Sequence, residues 1–351
     1  MIDSHVHLWR AGDIENLEAI RRHIGFERMG VASVARRHSI NDNHAVYAVK
    51  AAYPGKYHAF VGLDHARLWS EGAIETPSLA EQVERAIATG ADGLKLIEAK
   101  PTHYQLPLDG DYYEPVFALV EQAGLPILWH VADPEEFWDP DLTPGWAKTQ
   151  GWGYDSTWIA KETLYAQVAN VLARHPRLKV IFAHFYFLSA DLPRAAALLD
   201  TYSGVLFDLA PGIEMLYNLS RDPGSAREFF VRYADRIVYG TDIEASAPVE
   251  QAAIRAGVVT RWLASADEFR LPDGADYTLG PPQDGVMRGI HLPEDALSKI
   301  RAGNFEKLAG GPKPLDRALA VDECRRIADV VARSGGDASV ALEAVDRLEA
   351  T

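Results

Sequence analysis

Five residues of this chain carry the side chains that a metal-centred active site needs. His5 and His7 flank Val6 near the first residue. In an extended segment side chains alternate between faces, so both imidazoles point one way and Val6 the other. His130, His184 and Asp242 follow much later, each closing a short apolar run. Imidazole and carboxylate together are the donor set of a divalent site, zinc first, with manganese or iron also suited. An open position on such an ion takes up water and brings its pKa towards neutrality. A lone histidine at a strand end is more often a satisfied polar residue than a ligand. The set of four strand ends carries the weight.

A scaffold must bring these residues together. Short runs rich in Val, Ile, Leu and Phe predict strands over 2–7, 31–35, 57–63, 93–98, 125–130, 179–184, 204–209 and 236–242. Between them, apolar periodicity predicts helices over 13–28, 43–52, 78–89, 112–122, 161–174, 192–202 and 225–234. A last helix is expected over 293–308, after an irregular insertion. Ser78 with Glu81 three residues on is a capping-box pattern. Eight alternations of strand and helix predict an α/β fold, a closed (β/α)₈ TIM barrel. The rival, an open doubly wound sheet, lacks the Gly-x-Gly-x-x-Gly turn after its first strand. Residues 1–310 read as the barrel. Residues 311–351 read as a C-terminal helical extension, helical over 319–333 and 338–348, packing on the barrel or on a partner subunit.

The bulk composition bounds the partners. The chain has 351 residues, 48% of them hydrophobic, and a net charge of −15. That acidity speaks against nucleic acid or an anionic membrane, which need a basic footprint. One cysteine, Cys324, excludes an internal disulfide. No basic, apolar leader precedes the first strand, and no run approaches the length of a membrane span. The expectation is a cytoplasmic protein acting on a small-molecule substrate, with a homodimer compatible with the extra helices.

Several side chains near strand ends bear on that substrate. Lys95 is a charge inside an apolar strand, so it is expected to face the barrel lumen. With Arg36, Arg37, Lys100 and His103 it suggests an anionic substrate, a carboxylate. The segment 134–159 is long for a connection between strand and helix and holds Trp138, Trp146, Trp152 and Trp158. It reads either as a lid, with Trp138 against a ring or apolar group, or as a small packed subdomain.

At this point the residues resemble a family. Ile2-Asp3-Ser4-His5-Val6-His7, Pro126-Ile127-Leu128-Trp129-His130, Val180-Ile181-Phe182-Ala183-His184 and Tyr239-Gly240-Thr241-Asp242 resemble motifs of the amidohydrolase superfamily. The resemblance is to the amidohydrolase-related branch that includes aminocarboxymuconate-semialdehyde decarboxylase-like proteins. It covers residues 1 to 310, including the late run Ala296 to Phe305. It implies one divalent metal held by His5, His7, His130 and Asp242. It also implies His184 as an acid, base or electrophile, and Asp242 as the acceptor of a water proton. A carbamylated Lys95 bridging two metals is the less favoured arrangement. The implied activity is hydrolysis of an ester, lactone or amide. Non-oxidative decarboxylation of an aromatic or unsaturated acid is the alternative. A metal-free binding protein on the same barrel would have no need of so many buried ionisable groups.

Overall fold

The computed structural model describes residues 1–36, 40–280 and 285–350. Arg37 and His38, expected at the end of the second strand, lie outside the described residues. The strands are β1 (Ile2–His7), β2 (Arg28–Ala32), β3 (Tyr57–Val61), β4 (Gly93–Ala99), β5 (Pro126–Val131), β6 (Lys179–Phe182), β7 (Val205–Asp208), β8 (Ile237–Val238) and β9 (Ile243–Glu244). They form one parallel sheet in the order β8-β7-β6-β5-β4-β3-β2-β1-β9. The Ser4 N–H donates to Tyr239 O at 2.9 Å and the Asp242 N–H to His5 O at 2.8 Å. The chain leaving β8 therefore crosses onto β1, and the sheet curls round as a TIM barrel with its helices outside.

The strands are buried on both faces, as their unbroken apolar runs require. Ile2, Phe60, Leu128, Ile181, Leu206 and Val238 fill the lumen together with Phe305. Val6, Val31, Val61, Leu94, Trp129 and Phe182 face the surrounding helices. The pairing of β1 with β2 shifts register between Asp3 and Val6. That shift lets Ile2 face the lumen while His5 and His7, of opposite parity in a regular strand, also face inwards.

Among the differences from the sequence reading, three bear on how the barrel closes. The second strand is Arg28–Ala32 rather than 31–35. Gly30 lies inside it, and a Cβ there would stand 2.6 Å from Ser4 O, so the glycine marks close approach of β1 rather than a strand boundary. The insertion after β9 contains a 16-residue helix, Val249–Ala264, whose Ala252, Ala256, Val259 and Leu263 are buried. The last helix is interrupted: Glu294–Ser298 and Asn304–Ala309 flank a wider turn over Lys299–Gly303. This turn closes one end of the barrel. Ile300 O accepts the Tyr239 N–H at 2.9 Å, and Asn304 Nδ2 donates to Ala234 O and Ile237 O.

The C-terminal helices Arg317–Arg333 and Ser339–Ala350 pack on the helices Asn43–Ala52 and Leu79–Thr89. Val321, Cys324, Val345 and Leu348 join the main core. The Trp-rich segment has its own small core of Phe137, Ala147, Tyr154 and Ile213, with Trp138, Trp146 and Trp152 against it. Among the described residues no helix is long and apolar enough to cross a membrane.

Candidate metal centre

β1 delivers His5 and His7 to the lumen, and each ring is oriented from behind. His7 Nδ1 lies 3.0 Å from Ala32 O, a carbonyl that can only accept, so the proton sits on Nδ1. His5 Nδ1 lies 2.8 Å from Asp208 Oδ2. Both Nε2 lone pairs then face the lumen, 3.2 Å apart. Asp242 Oδ1 stands 3.1 Å from His7 Nε2 and 3.4 Å from His5 Nε2.

Three acceptors converging at this spacing repel one another unless a cation lies among them. Two donors at ~2.1 Å from a tetrahedral ion are about 3.4 Å apart. The donor chemistry and spacing therefore fit a divalent metal. Lys95 Nζ, 3.0 Å from His5 Nε2, is a cation already at the cluster. His5, His184 and Asp242 form a group of candidate ligand atoms within 4.8 Å of one another.

His184 and Asp242 stand beyond their strands rather than in them. β6 ends at Phe182, and His184 to Phe187 all have positive φ, between 51° and 56°. β8 ends at Val238, and Asp242 has φ 59°. Such conformations cost about 1–2 kcal/mol per residue outside glycine, so packing must hold them. Asp208 anchors the first: its Oδ1 accepts the N–H of His184 at 2.7 Å and of Ala210 at 3.1 Å. His184 Nδ1 donates to Ala210 O at 3.0 Å, which leaves Nε2 as its acceptor. Asp3 anchors the second. It accepts the N–H groups of His5 and Thr241 and, at 2.6 Å, the Thr241 hydroxyl. Arg255, on the helix that the sequence reading missed, donates from Nε to Thr241 O and places Nη2 3.8 Å from Asp242 Oδ2.

The electrostatics follow from burial. Burial and the Lys95 charge hold His5 well below the usual imidazole range, and burial lowers His184 and His130 as well. Neutral imidazoles are the ligating form. Burial pushes Asp242 up, but the His7 hydrogen bond and the neighbouring imidazoles outweigh it and leave the carboxyl well below its ordinary value. Burial brings Lys95 down to about 8 and Asp3 up to about 7.

The other expected residues are placed as follows. His130 stands one residue before the end of β5, its ring 4.9 Å from that of His184, but its Nε2 faces Asp133 Oδ1 at 3.2 Å. Asp133 also binds Lys100 Nζ at 2.6 Å and the Tyr154 hydroxyl. Lys100 is therefore spent on a buried ion pair. Trp138 packs on Tyr154, ring centroids 4.7 Å apart, two side chains removed from His130. The Arg36 guanidinium lies 4.0 Å over the Trp9 ring, and Trp9 stacks on His7 at 4.7 Å. Asp208, Asp3, Asp133 and Arg255 were missed by sequence reasoning. Asp208 ends β7, so the strand-end rule that selected the histidines also selects it.

Barrel and donor set together define a metal-dependent enzyme of the barrel type. The chain belongs to the amidohydrolase family, whose model matches residues 2–308. No curated protein matches it by sequence. Among solved structures it is similar to an uncharacterised TIM-barrel protein of Bordetella bronchiseptica, with 17% identity over 91% of this chain and 99% of that one and a TM-score of 0.50. It is also similar to a probable 2-pyrone-4,6-dicarboxylic acid hydrolase of Acinetobacter baumannii, at 13% identity, covering 88% and 98%, TM-score 0.52. A third is 2,6-dihydroxybenzoate decarboxylase from Rhizobium, at 15%, covering 88% and 97%, TM-score 0.52. At these identities the likeness shows the fold.

Proposed function

We propose that the protein is a metal-dependent hydrolase of an ester, lactone or amide in a small, carboxylate-bearing substrate. The observation that carries this reading is the convergence of three lone pairs, His5 Nε2, His7 Nε2 and Asp242 Oδ1, the two rings fixed from behind by Asp208 and the Ala32 carbonyl and Asp242 held by its backbone N–H on His5 O. His5, His7 and Asp242 would hold the ion, with His184 or His130 completing the set. Zinc suits these donors best. When bound, such an ion polarises a carbonyl and acidifies water.

This chain's residues supply the remaining steps. Asp242, held ionised, accepts a proton from the attacking water. Where His130 completes the metal set, His184 presents its acceptor Nε2 towards the same space, takes up the proton that Asp242 gathers from the water and passes it to the leaving group. Lys95, protonated at neutral pH, stabilises negative charge on the carbonyl oxygen or binds a carboxylate. Arg36, partly exposed above Trp9, is the further cation for that carboxylate.

Elemental analysis of the purified protein beside Asp242→Asn and the His5→Ala/His7→Ala pair tests the centre. About one equivalent of transition metal, lost in both variants, is expected. A panel of lactones, amides and aromatic acids turned over in ¹⁸O-water tests the reaction. Label in the product supports hydrolysis. Carbon dioxide released without label would replace it with decarboxylation, the chemistry named for the Rhizobium relative. No metal after refolding with zinc and manganese would overturn the centre itself.

A further inference from the structure

A cavity of about 420 Å³ opens beside the ends of β3 and β4, lined by none of the converging donors. Its size lies in the range of small-molecule pockets, about 300–1,000 Å³. Ala35 and Ile97 line it, and with Val34 they pack against Trp9, the ring stacked on His7. Ala35 with Ile97 and, behind them, Trp9 thus stand between the cavity and His7 of the candidate metal centre. We propose that it is a subsite for an uncharged aromatic group of the substrate.

The lining carries the chemistry. Trp69, Tyr104 and Tyr113 give aromatic faces, and Leu68 and Ile97 aliphatic ones. The ionisable pair within it is internally satisfied. His65 Nε2 lies 2.8 Å from Glu98 Oε1, His65 Nδ1 lies 3.0 Å from the Tyr112 hydroxyl, and Glu98 Oε2 accepts the Ile97 N–H. Among the described residues the lining holds no lysine or arginine: Lys100, nearby, is paired with Asp133, and burial lowers His103 to about 4. Glu71, exposed and lining the same cavity, repels a carboxylate. The anionic end of a substrate is thereby directed to Lys95 and Arg36, and a neutral ring to the cavity.

The wall is held before any ligand arrives. Leu68 and Trp69 lie on the short helix Ala66–Trp69. Asp64 accepts the Ala66 N–H at 2.7 Å and an N–H of Arg326, from the C-terminal extension, at 2.6 Å. A preorganised wall lowers the cost of ordering a ligand.

The subsite rests on the hydrolase reading only for what the rest of the substrate is, and its test needs no turnover. 4-Methylphenol, uncharged at neutral pH, and 4-methylbenzoate are titrated by ligand-observed NMR. The proteins are wild type, Leu68→Trp, which fills the cavity, and Tyr113→Leu, which removes a wall. Circular dichroism and metal content serve as controls. The phenol is expected to bind wild type at least about tenfold more tightly than either variant and than the benzoate binds wild type. Equal binding of the phenol to all three proteins, or a benzoate that competes for the same site equally well, would overturn the subsite. If Leu68→Trp does not fold, Tyr113→Leu decides alone. Phenol binding that persists in metal-free wild type and is lost in the variants upholds the subsite even where the metal-centred reading has failed.

Discussion

Asp208 Oδ2 lies 2.8 Å from Nδ1 of His5, while the other oxygen of the same carboxylate accepts the backbone N–H of His184. One side chain at the end of β7 thus sets the ring of a first-strand histidine and the strained turn of a sixth-strand one. Asp208→Asn keeps the shape but offers His5 a weaker acceptor or a competing donor. Metal affinity is expected to fall about 10–100-fold, as for other partners behind a metal-ligating imidazole. Competition with a chelator measures it. Unchanged affinity would mean that the His5 ring is held by packing alone.

Lys95 tests the cation argument in the opposite direction. Its ammonium, 3.0 Å from His5 Nε2, competes with a divalent ion for the same lone pair. Lys95→Met removes that competitor without touching a donor. Metal content is expected to stay at or above the wild-type level, while kcat falls by about 10²–10³, the usual cost of losing one stabiliser of developing charge. Metal lost together with Lys95 would instead make the lysine part of the metal site.

Much of this arrangement was legible in the sequence, and the failures have physical causes. The two-residue period of a strand is enough to put His5 and His7 on one face, and Ser78 with Glu81 does close its capping box in the structure. The helix Val249–Ala264 was missed because its buried face mixes Arg255 and two alanines with Val258, Val259, Trp262 and Leu263, which blurs the apolar periodicity, and with it went Arg255. Gly30 misled because a glycine that allows two strands to approach looks, in one dimension, like a glycine that ends a strand. The turns at His184 and Asp242 have no local signal. Left-handed residues that are not Gly or Asn are imposed by Asp208 and Asp3, which come from other strands.

Glu214 makes stability depend on pH. It is buried, and neither carboxyl oxygen has a hydrogen-bond partner. Burial, with Glu136 nearby and Lys161 only partly offsetting it, raises its pKa from 4.5 to about 8. Below 4.5 the folded and unfolded states both hold the proton, and between there and 8 only the folded state does. Unfolding then releases a proton, so rising pH favours the unfolded chain, by at most ~1.4 kcal/mol per pH unit. Urea unfolding at pH 5.5 and pH 8 is expected to show stability lost towards pH 8, and Glu214→Gln to flatten that slope. Parallel pH dependence in both proteins would assign the loss to another group.

The C-terminal extension lies beyond the family-matched residues 2–308, yet it reaches the wall of the proposed aromatic subsite: Ile327, Val330 and Val331 share an apolar cluster with Ala66 and Trp69, and a buried ion pair adds to it. Arg326 Nη1 donates to Asp64 Oδ2 at 2.6 Å, with the Asp64 side chain fully buried. Glu323 grips the guanidinium from the other side through Nε and Nη2. Arg326→Met leaves the Asp64 carboxylate buried without its partner, at a cost of about 3–5 kcal/mol. Removing both charges, in Arg326→Met with Asp64→Asn, is expected to recover part of that loss, because an amide costs less to bury than an unpaired carboxylate. Urea unfolding of the four proteins gives the coupling energy. A coupling near zero would mean that the ion pair adds nothing to the apolar packing of the extension on this wall. A coupling of more than about 1 kcal/mol, together with weaker 4-methylphenol binding in Arg326→Met, would tie the shape of the cavity to helices outside the family-matched barrel.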